Sequence, residues 1–258
     1  MSGSIMAAVQ SQDCLQRDIF RLRLFALGLG EVRPGQFVNL YLDDGRHLLP
    51  RPVSVCDVDG EELTLVYRVV GEGTAYFSRK KEGDRLRLLG PLGNGYPLDE
   101  LTDKTTILAV GGGLGIPPML YLSRCLKECG HAVRTVLGYR DEGFLLKDFS
   151  AIDVPVYRTS DSGAVGKKGT VIDCIRQEGL SAEVVFACGP LPMLRALREY
   201  CAGQGMRLYV SLEERMACGI GACLGCVCQT TEVDGHSHVH NRRVCVDGPV
   251  FEAGEVVL

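Results

Sequence analysis

Residues 216–228 read MACGIGACLGCVC and hold Cys218, Cys223, Cys226 and Cys228. The first three are spaced C-x4-C-x2-C, and Cys245 follows Cys226 after 18 intervening residues. That is the ligand spacing of a plant-type [2Fe–2S] site, in which four thiolates hold two irons. The intervening glycines suit it, because a loop that wraps a cluster must turn tightly and aim backbone N–H groups at sulfur. Gly219, Gly221 and Gly225 permit the positive φ values this requires. The reading is therefore Cys218, Cys223, Cys226 and Cys245 as metal ligands, with Cys228 as a spare thiol packed nearby. Structural zinc also takes four cysteines, but it usually presents two C-x2-C knuckles, and this stretch has one. A disulfide framework is disfavoured, since 12 cysteines in 258 residues fall below the density of small secreted scaffolds.

Outward from this loop, the chain is long enough for two or three domains. With 46% hydrophobic and 23% charged residues it can bury a sizeable core. The net charge of −4 comes from interspersed acids and bases, which excludes the basic footprint of a nucleic-acid binder. The first residues, MSGSIMAAVQSQD, lack the features of a signal peptide, and no run approaches the ~20 apolar residues of a membrane span. The expectation is a cytoplasmic protein with neither membrane nor nucleic-acid partners, its remaining cysteines serving mostly as small core residues.

From Ile19 to Leu101 the pattern is one of short alternating strands. Phe20, Leu22 and Leu24 alternate with arginines, Leu63, Leu65, Tyr67 and Val69 with more polar neighbours, and Leu86 and Leu88 with Arg85 and Arg87. Turns fall at Pro34-Gly35, Asp44-Gly45, Asp59-Gly60 and Glu82-Gly83-Asp84, which predicts a small antiparallel β-barrel. Two places in it suit phosphate. Arg51, at the start of RPVS (51–54), offers a planar fork, and Gly71-Glu72-Gly73-Thr74 forms a glycine-rich turn feeding a short helix pattern, AYFSRKKEG.

RPVS, VYRVVGEGT and GPLGNG (90–95) together resemble the flavin-binding barrel of the ferredoxin–NADP reductase superfamily. The resemblance implies FAD, with Arg51, Pro52, Val53 and Ser54 at the pyrophosphate and flavin edge. It further implies Val66, Tyr67 and Arg68 along the isoalloxazine, and Gly73 and Thr74 at the pyrophosphate.

The texture changes near Leu101. TTILAV is a continuous apolar run, as a strand buried on both faces would be. It leads into GGGLGIPP (111–118) and a helical stretch from Met119 to about Cys129. Strand, glycine turn and helix make a nucleotide-binding half with Gly111, Gly113 and Gly115 at the turn, although G-x-G-x-G is not the usual dinucleotide spacing. AVRTVLGYR, VPVYRTS and EVVFACGP continue the βα alternation of a parallel-sheet α/β domain. ACGP followed by Met193 resembles the C-G-P-x-x-M motif of the same superfamily, which implies Cys188, Gly189 and Pro190 beside the nicotinamide. Asp161, just past VYRTS, would bond the ribose hydroxyls and repel a 2′-phosphate, so NAD is expected over NADP.

The resulting partition is a flavin barrel over 1–100, an NAD-binding α/β domain over 101–207 and a [2Fe–2S] domain over 208–258, the last with so little core that metal must support its folding. His236, His238 and His240 alternate within HSHVH, and an exposed hairpin is the expected reading, because four cysteines already complete a cluster. NAD(H) carries an electron pair and an iron–sulfur cluster one electron, with flavin able to trade in both. No Ser–His–Asp or paired-carboxylate constellation would process an organic substrate. Over nearly its whole length the chain resembles the electron-transfer subunits of B-type dihydroorotate dehydrogenases, through EERMACGIGACLGCVC, RPVS, YRVVGEGT, GPLGNG and ACGP in the same order. That resemblance implies an FMN-containing catalytic partner that oxidises dihydroorotate to orotate, electrons passing through [2Fe–2S] and FAD to NAD+, and a heterotetramer of two subunits of each kind. The interval before Cys245 departs from it by its length. The alternatives are a related subunit of a ferredoxin oxidoreductase or sulfide dehydrogenase, and a zinc-stapled binding module.

Overall fold

A computed structural model describes residues 3–233 and 239–258. His236 and His238 lie outside the described residues, while His240 is exposed, as the hairpin reading expects. The described chain divides into two compact units. One holds the chain up to Gly95 together with Glu213–Cys228 and Arg242–Pro249; the other holds Tyr96–Leu212, Gln229–Asn241 and Val250–Leu258.

The first unit is built on β1 (Ile5–Gln16), β2 (Ile19–Phe25), β3 (Phe37–Leu40), β4 (Arg51–Asp59), β5 (Glu62–Arg68), the short helix α1 (Glu72–Phe77) and β6 (Arg85–Leu92). The strands close into an antiparallel barrel in the order β1-β2-β5-β4-β3-β6. Closure leaves no open sheet edge and turns the alternate residues Leu22, Leu24, Leu63, Leu65, Leu86 and Leu88 inward, where each is essentially inaccessible. β1 is the strand that sequence periodicity misses. Its bulges at Val9/Ser11 and Cys14/Gln16 shift the register against β2 and break the period-2 signal. The expected AYFSRKKEG helix begins earlier, at Glu72, and stops at Phe77, with Ser78 as its C-cap.

The second unit contains β7 (Thr106–Gly112), α2 (Ile116–Glu128), β8 (Ala132–Tyr139), α3 (Leu146–Ala151), β9 (Val156–Ser160), β10 (Lys167–Lys168), α4 (Val171–Gln177), β11 (Val184–Cys188), α5 (Leu191–Gln204) and β12 (Arg207–Ser211). β13 (Val227–Gln229) and β14 (Asn241–Arg243) pair as a two-stranded sheet before the chain reaches β15 (Val250–Glu252). The main sheet runs β10-β9-β8-β7-β11-β12-β15 and is parallel except for β15, which joins the β12 edge antiparallel. Continuous apolar strands follow from cover on both faces: Ile107–Val110 and Val184–Cys188 are all buried. α2 packs on β7 and β8, α4 on β8 and β9, and α5 on β11 and β12.

The segment 208–258, expected as a third domain, is shared between the two units. Its strand Val250–Glu252 completes the parallel sheet, and Val250, Phe251 and Val256 are buried there. A tail with too little apolar surface for its own core thus lends part of itself to a core that already exists.

Candidate flavin, nucleotide and iron–sulfur sites

The cysteine loop is shaped by its backbone. Gly219 and Gly221 have φ of 68° and 81°, left-handed values that a side chain resists. Leu224 takes φ 57° without being a glycine, a strained conformation that marks functional loops. These turns bring an N–H to every sulfur of the expected ligand set. Ile220 N donates to Cys218 Sγ at 3.5 Å, Gly225 N to Cys223 Sγ at 3.4 Å, Cys245 N to Cys226 Sγ at 3.4 Å and Gly221 N to Cys245 Sγ at 3.2 Å.

Cys218 lies near Cys223, and Cys226 lies near Cys245, whose N–H its sulfur accepts. Two thiolates per iron is the division a two-iron cluster needs. Among the described residues no three His, Cys, Asp or Glu side chains converge as the ligands of a single ion do. Burial opposes ionisation of Cys218. The Ile220 N–H, the Cys223 thiol and the Cys223 and Ala222 N–H groups outweigh it and bring the Cys218 thiol down to about 6, into the range where a thiolate ligand is ready at neutral pH. Burial and then the Cys226 thiol push Cys245 upward, so metal binding there displaces a proton. The residues present fit a [2Fe–2S] cluster. Cys228 is buried, and burial raises its thiol. Arg243, which pattern reading did not single out, ties the loop from behind: Nη1 donates to Gly221 O at 3.2 Å, while Nε and Nη2 hold Asp247.

In the barrel, Arg51 opens β4 and Gly73 sits in α1, 22 positions on, yet the fold stacks them. A Cβ added to Gly73 would overlap the Arg51 guanidinium, so the absence of a side chain there makes the cradle. Arg51 Nη1 donates to Leu49 O at 2.8 Å, which fixes the fork at the strand's start. Thr74 Oγ1 accepts from Val70 N at 2.9 Å and Gly71 N at 3.2 Å and donates to Gly71 O, locking the turn. A planar cation above a side-chain-free turn fits a pyrophosphate. Pro52 and Ser54 are half-buried on β4, while Val53 and Val66 are buried. Tyr67 departs from the expectation. Its ring lies in the core, 6.2 Å from Phe20 and 6.4 Å from Phe77, and its hydroxyl accepts from Gln12 Nε2 at 2.8 Å. The aromatic ring satisfies the barrel first, because burying it away from water outweighs leaving it on a surface. Arg68 faces out and pairs with Asp18 at 3.2 Å.

In the α/β unit, β7 and β11 are adjacent and parallel, with Gly111 opposite Cys188. Both glycine turns therefore leave neighbouring strand ends, where open α/β sheets bind ligands. Gly111 and Gly112 finish the strand, and Gly113–Gly115 form a single 3-10 turn into α2, whose Pro117 sits in the first helical turn. Gly115 has no room for a Cβ, which would strike the Cys188 carbonyl and Gly189 N. Gly112 and Gly189 are likewise closed off by Met193. Pro190 caps α5. Tyr96, another residue without a sequence signal, donates to Ala187 O at 3.1 Å and packs on Phe186. Its phenol is held neutral, first by burial and then by the nearby Cys188. Asp161 follows β9 and is exposed, its N–H bonded to Tyr139 O at 3.3 Å.

A closed antiparallel barrel, a parallel α/β sheet and a four-cysteine loop in one chain define the ferredoxin–NADP reductase class, extended by an iron–sulfur domain. Residues 213–257 match the family model described as the iron–sulfur cluster binding domain of dihydroorotate dehydrogenase B. The chain is 42% identical over 264 aligned residues, covering 100% of both chains, to the dihydroorotate dehydrogenase B (NAD(+)) electron transfer subunit of Geobacillus thermodenitrificans. It is 45% identical, over 88% of each chain, to the protein of the same description from Bacillus velezensis. The chain belongs to this family of electron-transfer subunits. Among solved structures, the NADH-dependent reduced ferredoxin-NADP oxidoreductase superposes with a TM-score of 0.85 at 30% identity, covering 100% of this chain and 91% of that one. Phthalate dioxygenase reductase shares the fold, with a TM-score of 0.66 at 17% identity and coverage of 95% and 94%.

Proposed function

We propose that this chain carries electrons between a catalytic subunit that oxidises dihydroorotate to orotate and NAD+, by way of a [2Fe–2S] cluster and FAD. The observation that supports it most is the cysteine loop, where each of the four thiols receives a backbone N–H. Cys218, Cys223, Cys226 and Cys245 hold the irons, with Arg243 bracing the loop. FAD supplies the exchange between electron pairs and single electrons. Arg51, Pro52, Val53 and Ser54 hold its pyrophosphate and ring edge, with Gly73 and Thr74 at the turn; Val66, Tyr67 and Arg68 contribute through their strand, since the Tyr67 ring faces the core. Gly111, Gly113 and Gly115 keep the β7 turn low enough for a dinucleotide, and Cys188, Gly189 and Pro190 line the nicotinamide end. Asp161 bonds the adenosine ribose and disfavours NADPH.

The name shared by the relatives calls for a catalytic partner. We read that partner as an FMN subunit in a two-plus-two heterotetramer working in the cytoplasm. Ile220, Leu224 and Val246 are exposed apolar side chains on and beside the cysteine loop, which supports a partner seated over it. No helix of the described chain is long and apolar enough to cross a membrane. The test is to combine the purified holo-chain with an FMN-containing dihydroorotate dehydrogenase subunit and follow dihydroorotate-dependent NAD+ reduction. A stable complex that reduces no NAD+ would end the dihydroorotate assignment.

A further inference from the structure

Asn39 is the one residue of β3 with an amide side chain, and it is completely buried. Phe37 and Asn39 share a face of the strand, and the Cα partner of Asn39 on β4 is Pro52, inside the RPVS segment. Asn39 Nδ2 donates to Cys218 O at 3.0 Å, across a sequence separation of 179. The next residue, Gly219, has φ 68° and lies so close to the same amide that a Cβ would overlap it. The other half of the amide, Oδ1, is buried and finds no donor among the described residues.

Stability does not explain this arrangement. A buried acceptor left without a donor costs at least as much as one neutral hydrogen bond returns. A leucine of similar shape would suit the barrel at least as well. What leucine cannot do is grip a backbone carbonyl.

We propose that Asn39 is a positioning residue for electron exchange between the cluster and the flavin. Its amide fastens the Cys218–Gly219 backbone to the strand pair that carries Arg51–Ser54, so the barrel sets the place of the first ligand. The inference rests on the reading of this loop as the cluster site and this barrel as the FAD site. Each transfer moves one electron and breaks no bond, so its rate depends on separation and orientation, and these are what a fixed carbonyl controls.

The test uses the holo-chain and two apolar variants, Asn39→Leu and Asn39→Val, neither of which can donate to Cys218 O. NADH is mixed with each under anaerobic conditions, and flavin bleaching and cluster reduction are timed separately. The reduced cluster is also recorded by electron paramagnetic resonance. The expected result is flavin reduction at the wild-type rate, with cluster reduction slowed several-fold, because one-electron transfer weakens with each ångström of added separation. The g-values of the cluster should shift with it. Wild-type cluster kinetics with an unchanged resonance signal in both variants would overturn the proposal. If neither variant retains a cluster, Gly219→Ala approaches the contact from the loop side and should slow cluster reduction likewise; a normal rate there would overturn it. A wild-type chain without FAD or a paramagnetic reduced cluster would instead remove the functional reading beneath.

Discussion

The cysteine loop and the β7–α2 turn are both rich in glycine, and each combines left-handed backbone with close approach in a different balance. In the cysteine loop the glycines are conformational: Gly219 and Gly221 stand at left-handed φ, and even Leu224 is forced there. In the β7–α2 turn Gly115 is spatial, giving up a side chain so that the helix start can touch the end of β11. The first turn is strained and stands on little core of its own, so its shape depends on what it binds. The second is supported on two sides by buried strands and keeps its shape from packing alone. One loop is completed by its ligand, whereas the other is ready before it.

The largest effect should come from the loop that needs its ligand. Serine at Cys218, Cys223, Cys226 or Cys245 should abolish the cluster, measured as loss of iron, of inorganic sulfide and of the visible bands, while FAD content persists. Serine at Cys228 should leave the cluster in place. Loss at 228 with retention at 245 would redraw the ligand set.

On the pre-formed side, Gly115→Ala drives a methyl into the Cys188 carbonyl and should destabilise by about 1–3 kcal/mol. Thermal unfolding would read the change, and NADH-driven flavin reduction should slow while iron content stays normal. Were iron to fall with it, the two loops would not be independent in the way the comparison holds.

Between these extremes lies the Arg51 cradle. Arg51→Ala removes a charge-assisted contact to phosphate worth about 1.5–3 kcal/mol, so FAD affinity should fall by about ten- to a hundredfold. Flavin content after dialysis is the measurement, and full retention would place the pyrophosphate elsewhere.

At neutral pH the smallest effect concerns Tyr67, whose contribution changes only in alkali. Burial, only partly offset by the Gln12 amide, pushes its phenol up to about 12 from an ordinary 10. The folded state therefore keeps a proton that the unfolded chain has released, and stability should decline as pH rises from about 10 through about 12. Two pH units correspond to roughly 3 kcal/mol. Tyr67→Phe should remove that part of the alkaline loss in denaturant unfolding; an unchanged profile would put the ring outside the core.

Much of the architecture was legible in local pattern. β2, β5 and β6 show their alternation, and β7 and β11 are continuous apolar runs because helices cover both faces. β1 was illegible, since its two bulges erase the period on which the reading depends. The division of the tail was illegible too: Val250–Glu252 is too short to announce that it will complete a sheet begun at Thr106.

Sequence alone carried the chemistry proposed for the ends of the relay. Ligand spacing and glycine placement are short-range properties, set by the reach of a few covalent bonds, and so they are written in consecutive residues. The tertiary structure decided what lies between them. That the Tyr67 ring turns inward, that Arg51 covers Gly73, and that Asn39 holds a carbonyl 179 residues away all depend on barrel closure and strand register. Such contacts join segments whose local patterns carry no reference to one another, and only packing the whole chain brings them together.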